Sequence, residues 1–294
     1  MRSPDAGYVQ ACTRPLLIVG VARNIDRHVA AEIGALQSAF AGFTHRQWLI
    51  VESDSTDRTV EVLQAMGASM PGLRTLSLGH LRTRLPLRTD RIAHCRNRYL
   101  QEIDNNPLYA SVQWVVVADL DGTNHLLDRN AVASCWRRGD WDVCCANQRG
   151  LYYDIWALRH PTWSPDDCWA RYRQLVAQGT PRYAARWSAV YSRMRHIAPD
   201  QPWIAVDSAF GGLAIYRRSV LSGARYCGVG PAGEEVCEHI ALHAQLRARG
   251  HTIMLNPALL NLDESEHTRP ARMGRVGRWL DQLRCDVAGP LLGR

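Results

Sequence analysis

Between residues 16 and 118 the chain alternates strand-like apolar runs with stretches of helical periodicity, and this alternation limits the fold more than any other feature. Leu16 to Val21, Trp48 to Val51, Leu73 to Leu78 and Val115 to Ala118 read as strands. Ile25 to Phe40, a stretch ending near Met66, and Ile92 to Ile103 have the spacing of helices, and the polar turn Ser53 to Asp57 offers caps for the second. Strands that alternate with helices require right-handed crossovers, so the expected fold is α/β, with a Rossmann-like, mostly parallel central sheet and flanking helices. Ligands of such sheets bind beyond the C-terminal ends of the strands, where Arg23, Glu52 and Asp119 fall.

After Asp121 the pattern changes. Trp141 to Asn147 and Gly211 to Tyr216 read as strands, and Arg159 to Pro202 as loop and short helix. Glu234 to Gly250 reads as a helix ended by glycine, with a closing strand, Thr252 to Leu255, before Asn256-Pro257. Beyond it, Met273, Val276, Trp279, Leu280 and Leu283 fall on one helical side among arginines. With 46% apolar residues in 294 and no linker, the expectation is one domain over 1–268 and a basic amphipathic tail over 269–294.

Charge narrows the chemistry. All 35 residues counted as Lys plus Arg are arginine, which excludes a Schiff-base lysine, a P-loop lysine and a lysine partner for a phosphoaspartate. The net charge of +7 favours anionic partners such as nucleotide diphosphates, acidic glycans or membrane surfaces. No apolar run is long enough for a spanning helix, and the N-terminus does not read as a signal segment, so the expected location is the cytoplasm, with peripheral contact at the inner face of the membrane through the tail. Nine cysteines without a C-x-x-C pair read as reduced, mostly buried thiols.

The run VVVADLDGTNHL at 115–126 admits two chemistries. As a phosphatase loop, Asp119 would be a nucleophile and would need a second acidic pair downstream. The downstream pair, Glu234-Glu235, instead opens the expected helix, and three strand–helix units already precede Asp119. As a D-x-D pair flanking Leu120, Asp119 and Asp121 would hold hard Mn2+ or Mg2+ against a diphosphate.

Several patches carry a resemblance. VESDSTDRTVEVL at 51–63 resembles the second-strand motif of nucleotide-sugar glycosyltransferases with the GT-A fold, with Glu52 at its first acidic position, and RIAHCRNRYLQEI at 91–103 is similar to the helix before their metal strand. CCANQRGLYYDIWALR at 144–159 and AFGGLAIYR at 209–217 resemble the acceptor half of the capsule-associated α-1,3-mannosyltransferase family of encapsulated yeasts. That family shares the E-S-x-S-x-D-x-T pattern of Glu52 to Thr59, while the clean D-x-D here departs from it. The resemblance implies transfer of a hexose, mannose in the narrower reading, from a nucleotide diphosphate sugar to a glycan or lipid-linked glycan, with no nucleic acid partner.

By the same resemblance, Ala22, Arg23, Asn24, Glu52, Ser53, Arg91, Arg96, Asp119, Leu120 and Gly212 would contact the donor, and Asp119, Asp121 and His267 the metal. Glu238 would face the acceptor hydroxyl as base, joined by Asp154 and Asp207. Tyr152, Tyr153, Trp156 and Arg159 could wall a sugar site or pack a core edge. His239 and His243, one turn apart, could be ligands or buried core residues. Rival readings are a sugar nucleotidyltransferase, the phosphatase, and an inactive glycan- or nucleic-acid-binding module.

Overall fold

The apolar runs do become parallel strands, and their side chains, alternating with period two, feed a core on each face of one sheet. In a computed structural model, residues 6–274 are described together with 276, 277, 279, 280 and 283. The strands are β1 (Leu16–Ala22), β2 (Arg46–Glu52), β3 (Leu73–Ser77), β4 (Trp114–Ala118), β5 (Val143–Gln148), β6 (Ile204–Val206), β7 (Leu213–Arg217) and β8 (Ile253–Leu262). The helices are α1 (Ala6–Cys12), α2 (Val29–Ala39), α3 (Thr59–Ser69), α4 (Arg88–Asn105), α5 (Arg129–Ser134), α6 (Cys168–Ala177), α7 (Arg182–Ala189), α8 (Arg218–Leu221), α9 (Glu238–Ala248) and α10 (Arg269–Arg272).

The sheet order is β3-β2-β1-β4-β7-β5-β8-β6, with β6 and β7 antiparallel to the rest. Leu17, Val19, Leu49, Val51, Val115 and Val117 pack under α4 and the C-terminal half, while Leu16, Ile18, Trp48, Ile50 and Val116 pack under α2. The single, mostly parallel α/β domain is the expected architecture. At the C-terminal edge, Ala22 pairs with Glu52 and Ala118 with Leu213, which sets the predicted site residues of β1, β2 and β4 side by side.

Several boundaries differ from expectation. Helix α4 begins at Arg88, before the expected start at Ile92, so Arg91 lies in its first turn. Helix α9 begins at Glu238, because residues 228–236 form a turn held by Gly230 N–H donating to Glu234 O and Val236 N–H to Gly228 O. Strand β8 does not stop at Asn256-Pro257: a bulge opposite Asn147 absorbs the proline, which has no N–H for the ladder, and Asn147 Nδ2 donates to Pro257 O. Gly211 and Gly212 precede β7 with φ of 70° and 85°, values that favour glycine, and are not strand residues.

The described cysteines are free, six of them buried, as the thiol reading expects. No helix among the described residues is long and apolar enough to cross a membrane. The amphipathic tail lies largely outside the described residues; within them, Val276, Trp279, Leu280 and Leu283 are exposed.

Candidate functional site: a carboxylate cleft at the strand ends

The loops after β1 and β2 are sewn together by the side chains expected to cap α3. Asn24, at φ 52°, donates its N–H to Ser55 Oγ and accepts the Thr56 N–H on Oδ1 at 2.8 Å. Ile25 N–H donates to Thr59 Oγ1, and Asp57 accepts from both Asp26 N–H and Thr59 N–H. Asp57 therefore holds the β1 loop and the α3 start at once.

Within this frame Glu52 is buried, accepting from Ser55 N–H at 3.0 Å and from Ser77 Oγ–H at 2.5 Å. It organises the turn. The Ala22 carbonyl is likewise taken by Ser53 N–H, and Ser53 Oγ accepts from the Cys95 thiol. The cations of this corner differ in how far they are engaged: Arg91 is buried with its Nη1 donating to Leu85 O and Pro86 O, and Arg23 Nε donates to Asp54 O at 3.4 Å. Arg23 is exposed, and Arg23 and Arg82 crowd Arg91, whose guanidinium is pushed below its usual range by burial and by these two neighbours. Asp54, near Arg91 at 3.9 Å, is the acid that partly offsets them. Arg82, which the motifs did not single out, has the same signal as its neighbours: it sits in the Arg-rich loop between β3 and α4.

The D-x-D segment ends β4. Asp119 N–H donates to Gly212 O at 2.8 Å, Leu120 turns inward against Gly20 with 2% exposure, and Asp121 is exposed. Only Leu120's backbone can meet a ligand. Gly122, at φ 101°, then reverses the chain, and Thr123 Oγ–H donates to Asp119 O. Two residues the sequence did not flag brace this turn. Asn124 Nδ2 donates to Asp119 O at 2.7 Å and to buried Glu32 Oε2 at 2.6 Å. The signal for Glu32 was a lone acid on the apolar face of α2. Glu32→Ala should cost about 2 kcal/mol in urea unfolding, the order expected when a buried donor loses its charged partner.

Asp119 and Glu238 meet through Arg96. Its Nη2 donates to Asp119 Oδ1 at 3.1 Å and its Nε to Glu238 Oε1 at 3.0 Å. The guanidinium is buried at 3% exposure between the rings of Phe210 and Tyr226, its carbon 5.2 and 5.6 Å from their centroids. Arg96 was expected to grip the donor; a buried group with both ends engaged instead positions the two carboxylates. Tyr99, which accepts from Arg96 and donates to Tyr226 OH, closes the cage.

Asp154 reaches the same cleft. It accepts Gly211 N–H at 2.9 Å and Ala157 N–H at 3.3 Å, and its carboxyl is raised by burial, with Glu238 adding to the shift. Tyr153 lies against Gly212, and the exposed His267 ring is tilted over Tyr153 at 5.8 Å. The rest of the aromatic cluster is structural: Tyr152 is core, while Trp156 and Arg159 both donate to Asp167.

Asp207 does not join the site. It follows Val206, which pairs with Ile253 at the start of β8, so it lies near the opposite edge of the sheet, in a surface ion pair with Arg247 at 3.3 Å. The apparent link through Gly211-Gly212 fails because residues 207–212 cross from one edge to the other. The histidine pair is core: His243 hydrogen-bonds Ser208 Oγ and Tyr216 OH, and His239 stacks on Phe210 at 3.9 Å, its Nε2 3.7 Å from Glu238 Oε1 and neither nitrogen hydrogen-bonded among the described residues.

Crowding of acids gives the cleft its electrostatics. Burial pushes the Asp119 carboxyl up to about 7; Arg96 opposes, but Asp121, Glu238 and Asp154 add to the rise. The unfolded carboxyl titrates near 4, so between these values the folded protein holds a proton that the unfolded chain has released. Stability from this group is full below about pH 4 and is lost as pH rises through about 7. Asp119→Asn should therefore match the parent in thermal unfolding at pH 4 and become the more stable of the two by pH 8.

Such a donor set fits a hard divalent cation: oxygen ligands in negative surplus, one arginine against them. Among the described residues no three side chains are gathered to enclose an ion, and the contact found for His267 is with the Tyr153 ring. Two carboxylates with the remaining positions left to a ligand's phosphates is the usual arrangement for Mg2+.

The C-terminal edge of a mostly parallel α/β sheet thus sets an arginine cluster beside a D-x-D turn. Neither a family model nor a curated protein matches the chain. Among solved structures it is similar to the mannosyltransferase PcManGT from Pyrobaculum calidifontis in complex with GDP-Man and Mn2+, at 14% identity and a TM-score of 0.48, over 85% of this chain and 57% of that one. It is also similar to glucosyl-3-phosphoglycerate synthase from Mycobacterium tuberculosis in complex with Mn2+, UDP and phosphoglyceric acid (15%, TM-score 0.43, 87% and 70%). A third is S. aureus TarS 1–349 in complex with UDP-GlcNAc (14%, TM-score 0.46, 87% and 60%). The chain thus spans less than two thirds of the length of the mannosyltransferase and of the TarS fragment.

Proposed function

We propose that this chain is a metal-dependent glycosyltransferase that moves a hexose from a nucleotide diphosphate sugar to a hydroxyl of a glycan or lipid-linked glycan. The observation that carries this reading is the pairing of two unlike charge clusters on one sheet edge. Arg23, Arg82 and Arg91 gather over the ends of β1 and β2, while Asp119, Asp121, Asp154 and Glu238 gather at and beyond β4. Strand spacing puts the ends of β2 and β4 about 10 Å apart, the reach of a nucleoside diphosphate.

In this reading the exposed Arg23 and Arg82 bind nucleotide and phosphate oxygens in the bidentate geometry that guanidinium favours, and Arg91, buried with its Nη1 on Leu85 O and Pro86 O, adds positive charge behind them. Asp119 and Asp121 hold Mn2+ or Mg2+, which when bound neutralises charge on the leaving diphosphate. Glu238 uses one oxygen on Arg96, and its other accepts no hydrogen bond among the described residues. That oxygen takes the acceptor hydroxyl, removing its proton as the hydroxyl bonds to the anomeric carbon. Asp154, pinned by two backbone N–H groups, and Tyr153 bound the sugar, and the tight Gly211-Gly212 turn lets backbone approach it. His267 lies at the rim as a further donor for the ion. The exposed apolar residues of the tail, with the arginines of its sequence, support seating on an anionic membrane where lipid-linked acceptors lie.

The experiment is hydrolysis and transfer with a panel of nucleotide sugars in Mn2+, GDP-mannose among them. Release of nucleotide from one donor, absent with EDTA, is expected; Glu238→Gln should keep donor binding and lower transfer about 100-fold. Cleavage of simple phosphate esters with a phosphorylated Asp119 would instead support the phosphatase.

A further inference from the structure

At the opposite pole of the sheet lies a cavity of about 570 Å3 that the transfer reading does not use. It opens where β4 begins and β7 ends, at the paired residues Trp114 and Arg217, and α1 forms part of its wall. Arg14, Arg137, Arg138, Arg217 and Arg218 line it. Two acids offset this charge, Asp140 on Arg138 and Asp142 near Arg217 at 3.8 Å. Arg14 and Arg137 form no ion pair among the described residues, so the cavity keeps a surplus of positive charge.

These arginines are not all loose surface chains. Arg217 donates through Nε to Trp141 O at 2.8 Å and through Nη2 to Gly139 O at 2.9 Å, and its guanidinium carbon sits 5.1 Å from the Trp114 ring centroid. Its Nη1 has no acceptor among the described residues. Arg218 Nη2 donates to Ile103 O, while its Nε is buried with no partner. Trp114 and Trp136 complete the wall, each 8% exposed, and present ring surface to the cavity with their indole N–H groups buried behind it. Guanidinium groups fixed in advance lose little entropy when they bind.

We propose that this cavity is a second anion site, for a small molecule carrying two or more phosphate groups. Its volume is that of ordinary ligand pockets, and paired phosphates match several forked guanidinium donors better than a single carboxylate does. The site is independent of the donor cleft: it lies at the N-terminal end of β4, and Asp119 follows the C-terminal end.

Pyrophosphate titrated calorimetrically into the full chain, without divalent metal and at low salt, tests this. Two classes of site are expected, one at the donor arginines and one here. Arg14→Gln with Arg137→Gln, two residues whose loss removes no ion pair, should weaken only the second class, by about tenfold per arginine; Arg82→Ala should weaken only the first. Ser219→Glu, which adds a negative charge to the wall from an exposed position, should also weaken the second class. Unchanged binding in both cavity variants overturns the proposal, as does a cavity that takes a uronic-acid oligosaccharide and not pyrophosphate.

Discussion

Asp119→Asn is expected to lose about a thousandfold in sugar transfer, about 4 kcal/mol of barrier, while gaining thermal stability above pH 7. The two effects share one cause. Asp119 sits among Asp121, Asp154 and Glu238 with Arg96 as its one ion-pair partner among the described residues, so its negative charge strains the fold by itself and, in the proposed function, becomes an asset once a cation and diphosphate share the cleft. Removing the charge relieves the first and forfeits the second. Steady-state transfer rates at saturating Mn2+, set beside melting curves at pH 4 and pH 8, read both; loss of activity with loss of stability would mean that Asp119 serves only packing.

Arg96→Leu should be the most damaging substitution for the fold, costing about 3–5 kcal/mol. The leucine would leave Asp119 and Glu238 facing each other in a cage of Tyr99, Phe210 and Tyr226 with no counter-charge. Arg96→Lys should recover only part of this, because one ammonium cannot span two carboxylates as the Nε and Nη2 edges do. Urea unfolding of both variants checks the order; equal stability of Arg96→Lys and the parent would reduce the bridge to a single contact.

Where local pattern and local structure coincide, the sequence was a good guide. The runs at 16–21, 48–51, 73–78 and 115–118 were strand-like because both faces of the sheet are covered, and the D-x-D fell at a strand end because an apolar strand preceded it. What escaped the sequence is contact across long separations. Arg96 looked like a phosphate ligand, since nothing nearby shows that Glu238, 142 residues away, takes one side of its guanidinium. Glu52 looked free because its partner Ser77 is on β3. Asp207 looked close to the Gly211-Gly212 turn, but adjacency in sequence says little where the backbone crosses the width of a sheet.

The central claim is that Asp119 and Asp121 hold a divalent cation together with a nucleotide diphosphate, and binding of Mn2+ followed by electron paramagnetic resonance tests it directly. With GDP or UDP present, the parent should bind Mn2+ at least about tenfold more tightly than without nucleotide, and Asp121→Ala should abolish that gain. Mn2+ binding that ignores the nucleotide, or that survives Asp121→Ala unchanged, would contradict the account.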